Sequence, residues 1–208
     1  MREKVCALMM IPVLLLSACG GTGESGAEEL ALEIRSRYIE MTACTAHLEL
    51  TADYGQRVYR YGVDLSWEKE GETCLTITAP ENVAGTVAHI ANGETALEYD
   101  GVMVETGALD EEGLSPMDAV PALFADAREG FLAECTLEDW DGSQRLHVVC
   151  RDPEEAPGAG RETELWFDPD SGALVRGEIS VEGSTVIQSE WSDFQMSAAE
   201  AESSEPRA

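Results

Sequence analysis

The side chains best suited to chemistry in this sequence are six cysteines and three histidines, which stand among 41 acidic residues. No two cysteines form a C-x-x-C pair, so neither a thioredoxin-type redox centre nor a zinc knuckle is supported. His47, His89 and His147 fall in separate strand-like segments, and none has a partner at a metal-ligand spacing. No G-x-S-x-G, Walker or H-E-x-x-H motif occurs. We therefore predict no catalytic residue, no metal site, no cofactor and no enzyme activity.

Cys19 is the cysteine whose surroundings suggest a specific reaction, because it closes an export-signal pattern. Arg2 and Lys4 precede an apolar run over residues 5–16, which is shorter than the about 20 residues that a membrane-spanning helix needs. The tetrapeptide 16-LSAC-19 resembles the lipobox of bacterial lipoproteins. This resemblance implies cleavage before Cys19, a diacylglycerol group on its thiol and a further acyl chain, such as palmitate, on the new amino group. A plain secretory signal with an accidental cysteine is the alternative.

The lipoprotein interpretation divides the chain into four parts. We expect a signal peptide over residues 1–18, the lipidated cysteine and a flexible tether over 19–26, one folded domain over 27–196, and a disordered acidic tail over 197–208. Attachment through two or three acyl chains is stable. We therefore predict a protein anchored by lipid to the cell membrane on its extracytoplasmic side.

The charge of the chain restricts its partners. A formal net charge of −28 repels phosphate backbones, so we expect no nucleic-acid partner. The acidic excess is typical of a self-repelling, soluble surface, and weak binding of cations at that surface is the alternative.

The spacing of apolar residues changes after residue 41. Three- and four-residue spacing over 27–41 predicts an amphipathic helix. Two-residue alternation follows over 44–53, 57–70 and 73–80 and gives one apolar and one polar face. This alternation predicts antiparallel strands that bury one side.

Two turn motifs predict how the next strands pair. Asn92-Gly93 and Asp100-Gly101 are strong hairpin signals. They place Ala88 opposite Leu97, and Leu97 opposite Val104. Both turns bury the same set of side chains, so the two predictions support each other.

A helix is expected to interrupt the strands between residues 107 and 130. An apolar stripe from Met117 to Ala127 supports it, and Pro121 suggests that it is short or kinked. Five further strands are expected over 131–196. The stripe formed by Met117, Val120 and Phe124 is either a lid or plain packing.

Cys135 and Cys150 lie on the two arms of a predicted hairpin. A two-residue turn at Gly142-Ser143 would set them directly opposite each other, at a separation that suits a disulfide. We predict that bond. A turn at Asp141-Gly142 is the alternative and would leave the two cysteines diagonal.

The order of these elements resembles the lipoprotein-carrier superfamily typified by LolA and LolB, whose lipidated relatives include LppX, LprG and the clostridial germination lipoprotein GerS. The likeness covers residues 27–196 and is carried by 27-AEELALEIRSRYIEM-41, 76-TITAPENVAG-85 and 165-LWFDPDSGALVRGEI-179. It implies an α+β fold in which a curved antiparallel sheet, an incomplete barrel, packs an N-terminal and a mid-chain helix in its concave face. In the carriers, acyl chains lie between sheet and helices; a GerS-like role would mean binding another envelope protein.

The apolar face of the predicted sheet gives two hypotheses for function. In the first, it lines a cavity that binds a lipid or another hydrophobic ligand. The residues predicted to line this cavity are Tyr59, Tyr61, Leu65, Trp67, Leu97, Tyr99 and Phe124. In the second, the same residues form a filled core without a ligand, and the chain binds another envelope protein.

Overall fold

The computed structural model describes residues 22–140 and 142–198 of the chain. The predicted signal peptide, the Cys19 lipidation site and residues 199–208 of the predicted tail lie outside this part and stay predictions. No helix of the described part is long and apolar enough to cross a membrane.

Two helices and eleven strands make up the described part. The helices are α1 (Thr22–Glu40) and α2 (Ala119–Glu129). The strands before α2 are β1 (Met41–Asp53), β2 (Val58–Glu68), β3 (Thr73–Ala79), β4 (Val87–Ala91), β5 (Glu94–Tyr99) and β6 (Val102–Ala108). The strands after it are β7 (Leu132–Trp140), β8 (Ser143–Arg151), β9 (Arg161–Phe167), β10 (Leu174–Val181) and β11 (Ser184–Ala198). Helix α1 begins earlier than expected, and β11 includes the first two residues of the predicted tail.

All eleven strands belong to one antiparallel sheet, in the order β6-β5-β4-β3-β2-β1-β11-β10-β9-β8-β7. The first and last strands of the chain, β1 and β11, pair in the middle of the sheet. The sheet is open, because its two edges are β6 and β7. The predicted α+β architecture, with six strands, a helix and five strands after α1, is confirmed.

The register of the first hairpins matches the prediction. Ala88 lies opposite Leu97 across β4 and β5, and Leu97 lies opposite Val104 across β5 and β6. Both turns have the left-handed backbone that they require, with φ of 54° at Asn92 and 50° at Asp100. The apolar sides of these strands therefore face the same, concave side of the sheet.

The register of β7 and β8 corrects the disulfide prediction. Cys135 lies opposite Val148, and Cys150 lies opposite Leu132. Trp140 pairs with Ser143, which is the register of the alternative, and β8 is displaced by two residues from the expected pairing. Both cysteines are free and buried, and the predicted Cys135–Cys150 bond is not formed.

Both helices lie over the later half of the sheet. Helix α1 packs against β7, β8 and α2, while α2 packs against β9 and β10. Pro121 occupies the third position of α2, where a helix has no internal acceptor for a backbone N–H, so the proline is accommodated without loss of a hydrogen bond. The main core therefore lies between the helices and strands β7 to β11, and it continues through β1 into β2.

Candidate functional site

An apolar cavity of about 330 Å³ lies on the concave side of strands β2 to β5. The segment before α2, residues 114–117, covers part of it. The lining residues are Tyr61, Val63, Leu75, Ile77, Val83, Thr86, Ala88, Leu97, Ser115, Pro116 and Met117. No carboxylate, thiol or imidazole is among them, so the cavity has the character of a binding site for an apolar group.

The register of the strands explains why the wall is continuous. Leu75 lies opposite Ala88, and Ala88 lies opposite Leu97, so one row of apolar side chains crosses three strands. Directly opposed residues project to the same face of a sheet. Because α1 and α2 pack over the other half of the sheet, neither of the two described helices lies above this row and a cavity remains.

Hydrogen bonds hold residues 114–117 in place over the cavity. The Tyr54 hydroxyl donates a hydrogen bond of 2.9 Å to the carbonyl of Leu114. The rings of Tyr54 and Tyr59 meet edge to face with their centroids 6.1 Å apart, and burial raises the pKa of Tyr54. Ser115 contacts the buried Asp118 carboxylate and accepts a hydrogen bond of 3.3 Å from its backbone N–H. These contacts hold the turn that enters α2.

The seven residues predicted to line a cavity divide into three groups. Tyr61 and Leu97 line the cavity. Leu65 and Phe124 are buried in the main core, and Trp67 packs against that core. The remaining two, Tyr59 and Tyr99, are exposed at the rim with 38% and 55% of their surface accessible. These last five residues therefore do not form the cavity wall. For the four on strands, the reason is that alternation identifies the face of a strand but not which part of that face the helices cover.

Trp67 is held in the core by two neighbours on α2. Its ring meets Phe124 edge to face at 6.0 Å, and the Arg128 guanidinium lies 4.7 Å from its centroid. Burial lowers the pKa of Arg128, and within the described residues its buried Nη2 has no hydrogen-bond partner. The space beneath α2 is therefore filled, as the second hypothesis expected for this region.

Sequence reasoning missed most of the cavity wall. Leu75, Ile77 and Ala88 share the apolar face of Tyr61 and Leu97, and the same alternation would have found them. Val83 and Thr86 belong to a loop, where no periodicity exists. The stripe of Met117, Val120 and Phe124 was predicted to be either a lid or plain packing. Met117 lines the cavity, whereas Val120 and Phe124 are buried in the core.

Comparisons with known proteins concern the fold. No family model and no curated protein matches this chain. An uncharacterized conserved protein from Thermus thermophilus is similar with a TM-score of 0.50 at 10% identity, over 83% of this chain and 88% of that chain. A putative outer membrane lipoprotein-sorting protein domain from Vibrio parahaemolyticus gives 0.47 at 12% identity, over 86% and 95%. LprF from Mycobacterium bovis gives 0.46 at 14% identity, over 87% and 97%.

The architecture agrees with what the resemblance to the lipoprotein carriers implied. An open antiparallel sheet of eleven strands carries both helices on one side. The described residues have the fold class that this resemblance implied, an open antiparallel sheet packed by two helices. At the identities found, this likeness is one of fold, and any ligand, partner or membrane attachment has to be argued from the residues of this chain.

Proposed function

We propose that this chain is a membrane-anchored, extracytoplasmic lipoprotein that binds a lipid or another hydrophobic ligand in the cavity along β2 to β5. The observation that carries the proposal is the apolar wall of that cavity, whose volume is about 330 Å³. Ligand sites commonly measure about 300–1,000 Å³ and are lined mainly by apolar side chains. A cavity at the small end of this range suits one acyl chain or a small apolar molecule.

The binding mechanism is the removal of apolar surface from water. Each methylene group that enters the cavity contributes about 0.8 kcal/mol. The hydroxyl groups of Tyr61, Thr86 and Ser115 are the polar groups of the lining side chains. Thr86 already donates to the Val83 carbonyl and Ser115 to the Asp118 carboxylate, so these two hydroxyls could accept a hydrogen bond from a polar end of the ligand, and the Tyr61 hydroxyl could donate one.

Attachment to the membrane rests on the sequence at Cys19. The lipobox 16-LSAC-19 supports cleavage before Cys19 and acylation of its thiol. Stable anchoring needs more than one acyl chain, which the modification of bacterial lipoproteins supplies. The cavity would then act next to the membrane surface from which the chain is suspended.

Native mass spectrometry tests ligand binding directly. A form of the chain containing residues 20–208, which includes every described helix and strand, is exported to a bacterial periplasm and purified without detergent. We expect a reproducible adduct with the mass of a lipid or another apolar molecule, which is lost on gentle denaturation.

A pair of substitutions on β4 tests the location of the ligand. Ala88 faces the cavity, so Ala88→Phe should fill part of it and lower ligand affinity by more than about tenfold, since exclusion of two methylenes already costs about 1.6 kcal/mol. The neighbouring Val87 lies outside the cavity lining, opposite Thr76 and Glu98, so Val87→Phe serves as the matched control. Equal adduct levels in both folded variants would contradict a ligand at this site.

Binding of another envelope protein is the second candidate function, and the edge strand β6 favours it. Val102, Met103 and Val104 are 64%, 57% and 57% exposed. Within the described residues, no strand lies beyond β6, so an extended segment of a partner would find free backbone groups beside apolar side chains. A clean mass without any adduct would favour this role over ligand binding.

A further inference from the structure

Three side chains of metal-ligand type lie together on the outer face of the sheet, opposite the cavity. Cys74 on β3 and His89 on β4 are direct partners across the two strands, and Glu72 immediately precedes β3. One ligand atom from each lies within 4.8 Å of those of the other two. The sequence separates Cys74 from His89 by a loop, and only the pairing of β3 with β4 brings them together.

The distances between these atoms suit one tetrahedral ion. Cys74 Sγ lies 3.8 Å from His89 Nδ1 and 3.4 Å from a Glu72 carboxylate oxygen. The other Glu72 oxygen lies 3.0 Å from His89 Nδ1. Zinc bonds of about 2.3 Å to sulfur and about 2.0–2.2 Å to nitrogen and oxygen imply ligand separations of about 3.4–3.6 Å. The two contacts of Glu72 involve different oxygens, so the exposed Glu72 carboxylate has to rotate for one oxygen to join Cys74 Sγ and His89 Nδ1 on one ion.

Glu98 on β5 supplies the outer contact that metal-binding histidines usually have. Its carboxylate lies 3.1 Å from His89 Nε2, the ring nitrogen that faces away from Cys74. A carboxylate that accepts a hydrogen bond from one ring nitrogen fixes the tautomer and turns the lone pair of the other nitrogen toward the metal. The group therefore contains both a ligand set and a residue that positions the imidazole.

The thiol distinguishes this group from another histidine on the same outer face. His47 also lies between two carboxylates, at 2.7 Å from Asp64 and 3.5 Å from Glu49, but none of the described cysteines forms a group with it. Of the four described cysteines, Cys44, Cys135 and Cys150 are buried, while Cys74 is partly exposed. Cys74 is thus the described thiol that an ion from solution would reach.

We propose that Glu72, Cys74 and His89 bind a divalent transition-metal ion, with Zn²⁺ as the best match, and that Glu98 positions His89. Thiolate, imidazole and carboxylate together favour zinc over the oxygen-seeking Mg²⁺ and Ca²⁺. The fourth position is open to water. Glu94 and Glu105 border the same outer depression and, with a net charge of −28, raise the local concentration of cations. The site is independent of the proposed ligand cavity, which lies on the other face.

Titration of the reduced form containing residues 20–208 tests the site, with excess Mg²⁺ present to occupy sites made of carboxylates alone. We expect saturable binding of one Zn²⁺ per chain. We also expect that Co²⁺, which accepts the same ligands, gives a thiolate-to-metal absorption band in the near ultraviolet. Bound Zn²⁺ should protect Cys74 from alkylation, as measured by peptide mapping.

Substitutions separate the ligands from the positioning residue. Cys74→Ser should abolish the cobalt–thiolate band, and both Cys74→Ser and His89→Gln should lower Zn²⁺ affinity by more than about a hundredfold. Glu98→Gln should lower it by about 10- to 100-fold while the band remains. The control is His47→Gln, which changes a histidine with two carboxylate neighbours elsewhere on the face and should bind Zn²⁺ as the parent does. Absence of saturable binding in the parent, absence of the thiolate band, or unchanged affinity in folded Cys74→Ser would overturn the proposal.

Discussion

Two arginines, one on each helix, fix how α1 and α2 lie on each other. Arg35 on α1 donates hydrogen bonds to the carbonyls of Gly130, at 2.6 Å, and Ala127, at 3.3 Å, at the C-terminal end of α2. Arg128 on α2 donates one of 3.2 Å to the carbonyl of Tyr38, near the C-terminal end of α1. Cations near the C-terminal end of a helix are favoured by its free carbonyls and dipole. This reciprocal pairing also keeps Arg128 over Trp67, which commits that ring to the core.

The His47–Asp64 pair gives a pH dependence with a definite sign. The hydrogen bond that the His47 ring donates to the Asp64 carboxylate raises the pKa of His47. The pair therefore stabilises the folded state below the unfolded histidine pKa of about 6.5 and loses this effect as the pH rises through the folded pKa. Asp64→Asn should therefore lower the free energy of unfolding at about pH 5, by less than about 1 kcal/mol because the pair is exposed. At about pH 9 the parent and the variant should be equally stable.

Denaturant unfolding at both pH values measures this difference, and NMR titration of the His47 ring measures the pKa directly. Glu49 lies farther from the ring, at 3.5 Å, so Glu49→Gln is the graded control and should have a smaller effect. A loss of stability in Asp64→Asn that is the same at both pH values would contradict this account.

The identity of individual site residues was only partly predictable from sequence. Tyr61 and Leu97 were identified because alternation marks the apolar face of a strand. Trp67 was assigned to the cavity wall for the same reason, but its environment depends on Arg128 and Phe124, which come from a helix far along the chain. The grouping of Cys74 with His89 was not predicted, because neither residue belongs to a sequence motif. Both face outward, on the adjacent strands β3 and β4.

At the scale of elements, the hairpins between β4 and β6 were the most predictable part of the fold. Each turn has two residues with positive φ, which Asn-Gly and Asp-Gly tolerate best. The β7–β8 hairpin was less determined, because Asp141-Gly142 and Gly142-Ser143 are both plausible turns and they differ by two residues in register. Gly142 would be the second residue of the first turn and the first residue of the second turn, and glycine is tolerated at both positions. The disulfide prediction depended on which turn forms.

Glycine substitutions in two elements should have opposite effects on stability. Gly93 has a φ of +77° with open space around it, so Gly93→Ala should destabilise the fold by about 1–2 kcal/mol through backbone strain alone. Gly26 lies exposed in α1 with nothing near its missing Cβ, so Gly26→Ala should stabilise the fold by up to about 1 kcal/mol.

Thermal unfolding of the two variants beside the parent tests this contrast. Because both positions have open space, a steric clash does not contribute to either change. A Gly93→Ala variant as stable as Gly26→Ala would show that the β4–β5 turn does not hold the left-handed backbone in solution.

At the scale of the whole molecule, the position of the cavity follows from the uneven distribution of helices. The described sheet has eleven strands. Helices α1 and α2 pack over strands β7 to β10 and against each other. The strand sequence alone predicted the concave face, but the part of it left uncovered depends on contacts between α1, α2 and β7 to β10, which are distant in the chain. The fold class was therefore easier to predict than the site.

The anchoring proposal makes a prediction for the intact protein. In a bacterial host that modifies lipoproteins, the full chain should incorporate a labelled fatty acid and fractionate with membranes. Cys19→Ala should remove both properties, because the thiol that forms the thioether is lost, whereas Cys6→Ala, within the same signal segment, should retain them. Incorporation of label into a Cys19→Ala variant would contradict lipidation at this residue.

The pairing of β1 with β11 in the centre of the sheet constrains the order in which the molecule can be completed. Met41, at the start of β1, lies beside Ala198, at the end of β11. The first strand to be synthesised therefore lacks this partner until the last strand has been synthesised. Until then, β1 to β6 form a meander with an unpaired edge at β1. The central pairing forms only after β11 has been synthesised, so the sheet is completed after synthesis of its strands rather than during it.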